Sequence, residues 1–580
     1  MRGSLKLWQS SFLGLLVFGL GTNLLMLVGP MFMLQIYDRV LPSRSMPTLV
    51  TLVCLVVALY AYYSILDWLR ARALIRVSQR FGIQWSRAAF DASVRRPLAI
   101  GSKSDNDAPI DDLERIRSFL SGPGPLAILD MPWMPAFLAL VFLLHPLLGW
   151  LAILGALVTI LLLALQEILS RGPSRDTARV GARRALVATH TRQNAETVMA
   201  MGMLDRLGDR WTAIGSEYLD AQAQTADRMA MLSSATRAWR LLLQSAVLAL
   251  GAWLVISQEV TPGVMIAASI LVSRALAPIE QAIGQWRNFV AARQSVGRLS
   301  RVLEHMQDEA PGTDLPLPKN TLQVIHVHAA APGTTSPLLQ DINFALKAGD
   351  GLGIIGLSGS GKTSLVRVLT GVWSHIRGEV RLDGSTYGQW SAARLGTAIG
   401  YLPQTVDLFD GTIAENIARF DPNADSRDVL EAAQLAGVHK LVTKFTDGFD
   451  TRVGSGGIEL SAGQRQRIGL ARALYRSPFL IVLDEPNSNL DGDGEAALHA
   501  AIAAIRAKGS IVIIVAHRAS AISSIDLLLL LQDGRQVRFG PRQQVLKALG
   551  ATSGTARGPS LNSLPPKPVG IGASEANIDG

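Results

Sequence analysis

A glycine-rich segment at residues 356–364 has the composition and spacing of a phosphate-binding loop. It follows an apolar run, Leu352–Gly356, and precedes a short helical pattern. Glycines let backbone N–H groups approach phosphate oxygens, and the dipole of the next helix favours their negative charge. A lysine here holds the β- and γ-phosphates, and the following hydroxyl binds Mg²⁺. The predicted phosphate-contacting residues are Gly356, Leu357, Ser358, Gly359, Ser360, Gly361, Lys362, Thr363 and Ser364.

Two adjacent carboxylates, Asp484 and Glu485, end a second apolar run that begins at Phe479. Because side chains alternate along a strand, the two carboxylates are expected to point in different directions. Asp484 is predicted to hold Mg²⁺, directly or through water, together with Thr363. Glu485 is predicted to polarise a water molecule that attacks the γ-phosphate. The alternative for Glu485 is a solvated acid at the end of a strand.

The elements that position these residues alternate between strands and helices from Thr321 onward. Continuous apolar strands such as Ile511–Val515 are typical of a parallel sheet that is covered on both faces. The second half of the chain is therefore predicted to be an α/β P-loop nucleotide-binding domain.

The composition of the whole chain of 580 residues indicates a membrane protein. Hydrophobic residues make up 49% and charged residues 17%, with a net charge of +9. A basic balance is compatible with nucleic-acid binding, but the arginines cluster beside apolar runs, as the positive-inside rule predicts for cytoplasmic loops. No nucleic-acid partner is expected. The single cysteine, Cys54, excludes an intrachain disulfide.

The first half contains apolar runs long enough to cross a bilayer as helices. They lie at about 11–36, 47–69, 126–145, 147–168, 240–258 and 261–283. Short loops join them in pairs, and the long arginine-rich stretches between pairs are predicted to be cytoplasmic extensions of the same helices, with tips near Gly101–Asp112 and Asp205–Gly215. The first run is too long for a signal-peptide core and is interpreted as a retained helix whose N-terminus lies inside the cell.

This pattern divides the chain into four predicted parts. They are a transmembrane domain with cytoplasmic helical extensions at 1–305, a proline-rich linker at 306–320, a nucleotide-binding domain at 321–548 and a disordered tail at 549–580.

Six motifs along the second half resemble those of ABC exporters, and the resemblance extends over essentially the whole chain. Besides the phosphate loop and the Asp484–Glu485 strand, Gln404 matches the Q-loop, Asp491 the D-loop and His517 the switch histidine. The resemblance implies that Glu485, His517 and Gln404 act in catalysis, that Gln404 also reaches the metal, and that the cofactors are ATP and Mg²⁺. The signature motif, which faces ATP bound by an opposite subunit, corresponds to Leu460, Ser461, Ala462, Gly463 and Gln464.

A signature motif that acts on the opposite subunit's ATP implies a dimer, and one nucleotide-binding domain per chain implies a homodimeric half-transporter. Two segments depart from the ABC exporter pattern. Val324–Ala331 offers no aromatic residue to stack on adenine, other than His326 or His328. Thr451–Gly457 lacks the acidic residues usual before the signature.

Within ABC exporters, the chain is most similar to type I secretion transporters of the protease and RTX-protein class. Asp407–Phe420, Leu483–Asp491 and the third-helix segment Leu129–Pro135 are the stretches that show this similarity. The resemblance implies ATP-driven export of an unfolded polypeptide with a C-terminal signal across the bacterial inner membrane, with the nucleotide-binding domain in the cytoplasm. It also implies a periplasmic adaptor and an outer-membrane channel as partners.

Asp130 lies in or near the membrane, where ionisable groups are costly and often functional. It is predicted either to contact substrate or to pair with an arginine, and Trp133 either to line the path or to sit at an interface. Pro132 and Pro135 are expected to kink this helix. Two rival functions stay open for the whole chain: a lipid or drug flippase, and a membrane-bound ATP-dependent regulator that transports nothing.

Overall fold

The computed structural model describes residues 5–100, 109–307, 315–454, 457–516 and 522–553. These residues form two compact units, one before residue 308 and one after residue 314. In the first unit, six helices or helix pairs are long and apolar enough to cross a membrane, as the sequence predicted. The helices of this unit are α1 (Leu5–Leu25), α2 (Val28–Gln35), α3 (Leu41–Ser43), α4 (Met46–Ile100), α5 (Pro109–Ser121), α6 (Gly124–Asp130), α7 (Met134–Leu144), α8 (Pro146–Gln193), α9 (Ala195–Ala200), α10 (Leu204–Ile256) and α11 (Pro262–Gln307).

The apolar spans continue into charged sequence without interruption, as predicted: α4 has 55 residues, α8 has 48 and α10 has 53. The second tip was placed wrongly, because α8 gives way to α10 through α9 and the turn at Met201–Met203, before the predicted Asp205–Gly215. The only glycine in that turn, Gly202, has φ +61 and no neighbour that would meet a Cβ. Of the first predicted tip, residues 101–108 lie outside the described residues.

The third membrane helix is broken where its prolines predict a kink. A 3-10 turn, Met131–Trp133, separates α6 from α7. A π-helical turn, Ile36–Val40, similarly follows α2. The core of this unit is formed mainly by α7, α8, α10 and α11, with Val141, Leu148, Val247 and Leu254 completely buried.

The second unit contains a mixed sheet in the order β5-β4-β1-β2-β12-β11-β3-β10-β9-β6. Its strands are β1 (Thr321–Ala330), β2 (Pro337–Lys347), β3 (Gly351–Ile355), β4 (Arg377–Leu382), β5 (Ser385–Thr386), β6 (Ile399–Leu402), β9 (Leu480–Asp484), β10 (Ile511–Val515), β11 (Leu527–Gln532) and β12 (Arg535–Pro541). The strands β11, β3, β10, β9 and β6 are parallel neighbours, and β10 is buried throughout, as predicted. The antiparallel β1–β2 and β1–β4 pairs were not predicted.

Helices cover the sheet and fill the connections between strands. They are α12 (Lys362–Leu369), α13 (Ala392–Ala398), α14 (Ile413–Ile417), α15 (Ser426–Leu435), α16 (His439–Val442), α17 (Ala462–Leu474), α18 (Gly492–Ala507) and α19 (Arg542–Ser553). A small second sheet pairs β7 (Gly411–Thr412) with β8 (Arg452–Val453), the strand that opens the segment before the signature. Helix α19 continues to Ser553, inside the predicted tail, whose residues 554–580 lie outside the described part.

Candidate functional site

The carboxyl ends of four parallel strands meet at one edge of the sheet and carry the predicted catalytic residues. From β3 the chain enters the phosphate loop, from β9 it reaches Glu485, and from β6 it reaches Gln404 two residues later. Ligands bind at this edge in open α/β sheets. Strand β10, between β3 and β9, leads toward His517, which lies outside the described residues.

The phosphate loop is held close to β11 and β2, which leaves no room for side chains at two glycines. A Cβ on Gly356 would stand 2.2 Å from the Leu531 carbonyl oxygen. Gly361 has φ +97 and begins α12, and a Cβ there would stand 2.9 Å from the Leu339 side chain. The loop backbone is further fixed by the Gly534 N–H, which donates to the Ser360 carbonyl at 3.1 Å.

Lys362 lies inside the loop with its ammonium turned toward backbone carbonyls. Its Nζ donates to the Gly356 and Leu357 oxygens, both at 2.9 Å, and the residue is only 6% exposed. Burial lowers the pKa of Lys362, against the opposing effect of the Glu485 and Asp484 carboxylates. The cation is therefore positioned between the loop and the two acids, where the β- and γ-phosphates of a nucleotide would lie.

Asp484 is a buried carboxylate with no conventional hydrogen-bond partner for either oxygen, and it is 1% exposed. Burial raises the pKa of Asp484, the Thr363 hydroxyl opposes this effect, and Glu485 reinforces it. An orphaned buried carboxylate beside a threonine hydroxyl fits the oxygen ligands that Mg²⁺ prefers. No cluster of three or more His, Cys, Asp or Glu residues occurs in the described ranges, so phosphate oxygens and water would complete the coordination.

The buried charge on Asp484 is expected to reduce stability. Because its folded-state pKa is raised, ionisation destabilises the fold as pH rises above the unfolded value, near 3.9. We expect Asp484→Asn to gain about 1 kcal/mol at pH 7, which raises the melting temperature by about 2–4 °C without nucleotide, and to lose Mg²⁺-dependent ATP hydrolysis. Calorimetry and phosphate release measure the two effects, with Asp493→Asn as an exposed control. A lower melting temperature for Asp484→Asn would contradict the prediction.

Glu485 turns away from Asp484 because the backbone changes direction at the end of β9. Its φ of +51 is uncommon for a residue with a side chain. Its N–H donates to the Val515 carbonyl at 3.1 Å, and its carboxylate accepts a hydrogen bond from Gln404 Nε2 at 3.2 Å. The structure thus brings together Glu485 and Gln404, which are 81 residues apart in sequence, near Lys362 and Asp484.

The signature residues form the start of helix α17. Ser461 caps the helix through a reciprocal pair of hydrogen bonds with Gln464, at 3.3 and 2.9 Å. Leu460 is buried, whereas Ser461 and Ala462 are exposed. A Cβ on Gly463 would stand 2.6 Å from the carbonyl of Asn489, which belongs to the D-loop segment Ser488–Asp491, so glycine permits the D-loop to cross here. In the described part of the chain, the side-chain hydrogen bonds of Ser461 and Gln464 stay within α17, and the exposed Ser461 and Ala462 can meet another surface.

Asp491 begins α18 and accepts from the Gly494 N–H at 2.9 Å. Its carboxylate also lies 3.4 Å from Arg467 Nη2, on the signature helix. The D-loop is therefore tied to α17 at both Asp491 and Asn489.

Gln466 is a site residue that sequence reasoning did not assign. It is 2% exposed, its Nε2 donates to the Glu485 and Pro486 carbonyls at 3.3 and 2.6 Å, and its Oε1 accepts from the Asn489 N–H at 3.1 Å. The side chain thus joins the signature helix, the catalytic strand end and the D-loop. The sequence feature that could have indicated this role is the position of Gln466, a polar residue on the apolar side of an amphipathic helix.

Gln466→Leu is expected to destabilise the nucleotide-binding unit by about 2–3 kcal/mol, because a similar-sized apolar side chain leaves buried backbone groups without partners. Gln464→Leu, which removes only an exposed cap contact, should cost about 1 kcal/mol or less. Urea unfolding followed by tryptophan fluorescence compares the two. Equal losses for both variants would contradict the assigned role of Gln466.

The ring of His326, in the first strand, is paired with a carboxylate. His326 Nδ1 lies 2.6 Å from Asp341 Oδ1, on an exposed part of the β1–β2 hairpin. His328 is opposite Arg377 of β4. The part of this hairpin that reaches the loop is Leu338–Leu339.

Asp130 and Trp133 lie in the membrane unit. The Asp130 carboxylate is 6% exposed and accepts from Arg70 Nη1 and Nη2 at 2.7 and 3.1 Å and from Asn23 Nδ2 at 2.9 Å. These contacts join α1, α4 and α6. Trp133 is half-buried against the core of α7, α8, α10 and α11. The two residues therefore have different surroundings. The contact with Arg70 agrees with the prediction that Asp130 pairs with an arginine.

Comparison with known proteins agrees with the fold. Residues 339–488 match the ABC transporter family, and residues 12–277 match the ABC transporter transmembrane region. The chain is 45% identical to the type I secretion system ATP-binding protein PrsD of Rhizobium meliloti (strain 1021), over 93% of this chain and 92% of that protein. This chain belongs to the type I secretion ABC transporters. The transporter is a multi-pass membrane protein with an ATP-hydrolysing domain that is coupled to transport.

More distant relatives cover a similar part of this transporter. The cyclolysin secretion/processing ATP-binding protein CyaB of Bordetella pertussis is 28% identical over 92% of this chain and 76% of its own length. The leukotoxin translocation ATP-binding protein LktB of Mannheimia haemolytica is also 28% identical, over 93% of this chain and 77% of its own. A bacterial Atm1-family ABC exporter with ATP bound shares the fold, with a TM-score of 0.80, 22% identity, and coverage of 95% and 99%.

Proposed function

We propose that this protein is the ATP-driven subunit of a type I secretion system and exports a polypeptide from the bacterial cytoplasm. The observation that carries the ATPase part is the meeting of Glu485, Gln404, Lys362 and Asp484 at one sheet edge. The polypeptide cargo is supported by the 45% identity to a type I secretion protein over nearly the full length of both chains. An unfolded cargo with a C-terminal signal, a periplasmic adaptor and an outer-membrane channel belong to the same proposal.

The division of roles follows from the geometry of the site. Lys362 and the loop backbone bind the phosphates, while Thr363, Asp484 and Gln404 would hold Mg²⁺, which neutralises charge on the phosphates when bound. Glu485 orients the attacking water and accepts its proton, and His517 is proposed to contact the γ-phosphate. The exposed start of α17 supports a homodimer in which Leu460–Gln464 completes the partner's ATP site. The six spans support placement in the inner membrane, with the nucleotide-binding unit in the cytoplasm.

Secretion by cells that carry the matching adaptor and outer-membrane channel tests the proposal. Proteins in the medium are compared between wild type and Glu485→Gln at equal transporter abundance. Specific polypeptides should appear with wild type and disappear with the variant. Identical secreted proteins, together with ATP hydrolysis stimulated by lipids or small amphiphiles, would instead identify a flippase. ATP turnover without transport of any of these would identify a regulator.

A further inference from the structure

Helix α11 has one polar, exposed face within the membrane unit. Arg274, Gln281 and Asn288 recur every seven residues and are all exposed, with small residues Ala277 and Gly284 between them. This spacing places them on one side of the helix. The opposite side, including Val272, Leu276 and Ile279, is buried in the core.

The composition of this face is not that of a surface in contact with lipid. On α4, the exposed membrane residues are apolar, for example Val50, Val57 and Ile65. Arg274 follows Pro262 by twelve residues, which places it about 18 Å along the helix from that end, within a hydrocarbon core about 30 Å thick. A charged side chain at this depth generally faces the bundle interior or a water-filled cavity. We therefore expect the Arg274 face to line an aqueous path that opens toward the cytoplasm.

Arg274 has no acidic partner among the described residues. It makes no hydrogen bond or ion pair there, although it lies within electrostatic range of the Tyr63 hydroxyl, as do Asp67 and Asp130. These two acids are engaged by Arg70, at 3.4 and 2.7 Å. Glu280, six residues farther along α11, is paired with Arg240 at 2.9 Å. The acids Asp67, Asp130 and Glu280 are thus paired with other arginines, while the Arg274 guanidinium retains five donors for a ligand.

We infer that Arg274 is a binding residue for carboxylate groups of the polypeptide as it passes through the membrane unit. A planar guanidinium binds carboxylate through two parallel hydrogen bonds, and this contact is stronger where the surroundings are partly desolvated. Gln281 and Asn288 add amide groups that hydrogen-bond a backbone without selecting its sequence. This inference rests on the proposed export of polypeptides.

Peptide binding to the full-length protein in nanodiscs of zwitterionic lipid tests the inference. The probes are a fluorescent unstructured peptide rich in Asp, Gly and Ser and the same peptide with Asn in place of Asp. We expect Arg274→Gln to weaken binding of the Asp peptide about ten-fold, with Arg274→Lys within about three-fold of wild type. The Asn peptide should bind both variants as it binds wild type. Arg179→Gln, which removes an exposed arginine from α8, should change nothing.

Equal binding of the Asp peptide to wild type and Arg274→Gln would overturn the inference. An equal loss for both peptides that persists when their C-termini are amidated would do so too, because it would indicate a structural role. If amidation of the C-termini instead removes an equal loss, Arg274 recognises the terminal carboxylate rather than Asp side chains. An effect of Arg274→Gln on stimulation of ATP hydrolysis by anionic lipid, but not on peptide binding, would assign the site to lipid. Absence of both peptide binding and polypeptide export in wild type would reject the proposed function itself.

Discussion

Glu485→Gln is expected to lower kcat for ATP hydrolysis by about 10²–10⁴-fold, the usual contribution of a general base. The amide keeps the shape of the side chain and can still hydrogen-bond Gln404, but it cannot accept a proton from water. Affinity for ATP should stay within about three-fold of wild type, because Lys362 and the loop backbone are unchanged. Steady-state phosphate release and binding of a fluorescent ATP analogue measure the two quantities.

The control for this variant is Glu459→Gln, which removes an exposed carboxylate just before the signature motif. It should leave kcat unchanged. A decrease of less than ten-fold in Glu485→Gln would show that another group takes the proton, and that the position of Glu485 beside Gln404 is structural.

Asp130→Ala is expected to destabilise the membrane unit by about 3–5 kcal/mol, the largest stability effect predicted for this protein. Arg70 is 4% exposed, so removal of Asp130 leaves a buried positive charge whose remaining carboxylate, the partly exposed Asp67, lies 3.4 Å away. The same substitution also removes the hydrogen bonds that Asp130 of α6 accepts from Asn23 of α1 and Arg70 of α4. Thermal unfolding in detergent, followed by loss of monodisperse protein, provides the measurement.

A paired substitution separates the buried charge from the shape of the site. Arg70→Met together with Asp130→Leu should recover most of the loss, because apolar side chains of similar size replace buried ion pairs well. Glu280→Ala breaks the more exposed pair with Arg240 and should cost about 1 kcal/mol or less. If the double variant is as unstable as Asp130→Ala, the stabilising contribution comes from the specific hydrogen bonds to Arg70 and Asn23 rather than from charge compensation.

The sequence was most informative where chemistry is carried by contiguous residues. The phosphate loop needs glycines, lysine and threonine in fixed order between a strand and a helix, and all of these are local properties. The long helices were also predictable, because α4, α8 and α10 keep a helical composition far beyond their apolar spans. The parallel arrangement of β3, β9 and β10 followed from continuous apolar runs.

Contacts between distant elements could not be predicted in the same way. The role of Gln466 depends on where the D-loop backbone crosses α17, and no local pattern specifies that crossing. The sequence predicted an arginine partner for Asp130 but could not say which one, because Arg70 becomes its neighbour only through the packing of α4 beside α6. The turn between α8 and α10 was placed too late because Met201–Met203 contains a single glycine and no proline.

Because α4, α8 and α10 are long and uninterrupted, each can transmit a rotation of its membrane span to its far end as a larger displacement. Fifty residues of helix span about 75 Å, of which about 30 Å lies in hydrocarbon, leaving an arm of about 45 Å. A rotation of about 5° at the membrane displaces the far end of such an arm by about 4 Å. Conversely, a displacement of about 4 Å at the far end rotates the membrane span by about 5°. Small movements at the tips therefore become fine angular adjustments among the membrane spans. Helix α8 contains Pro173, where the missing N–H weakens the helix, so bending at this residue would reduce how much of a tip movement reaches the bilayer.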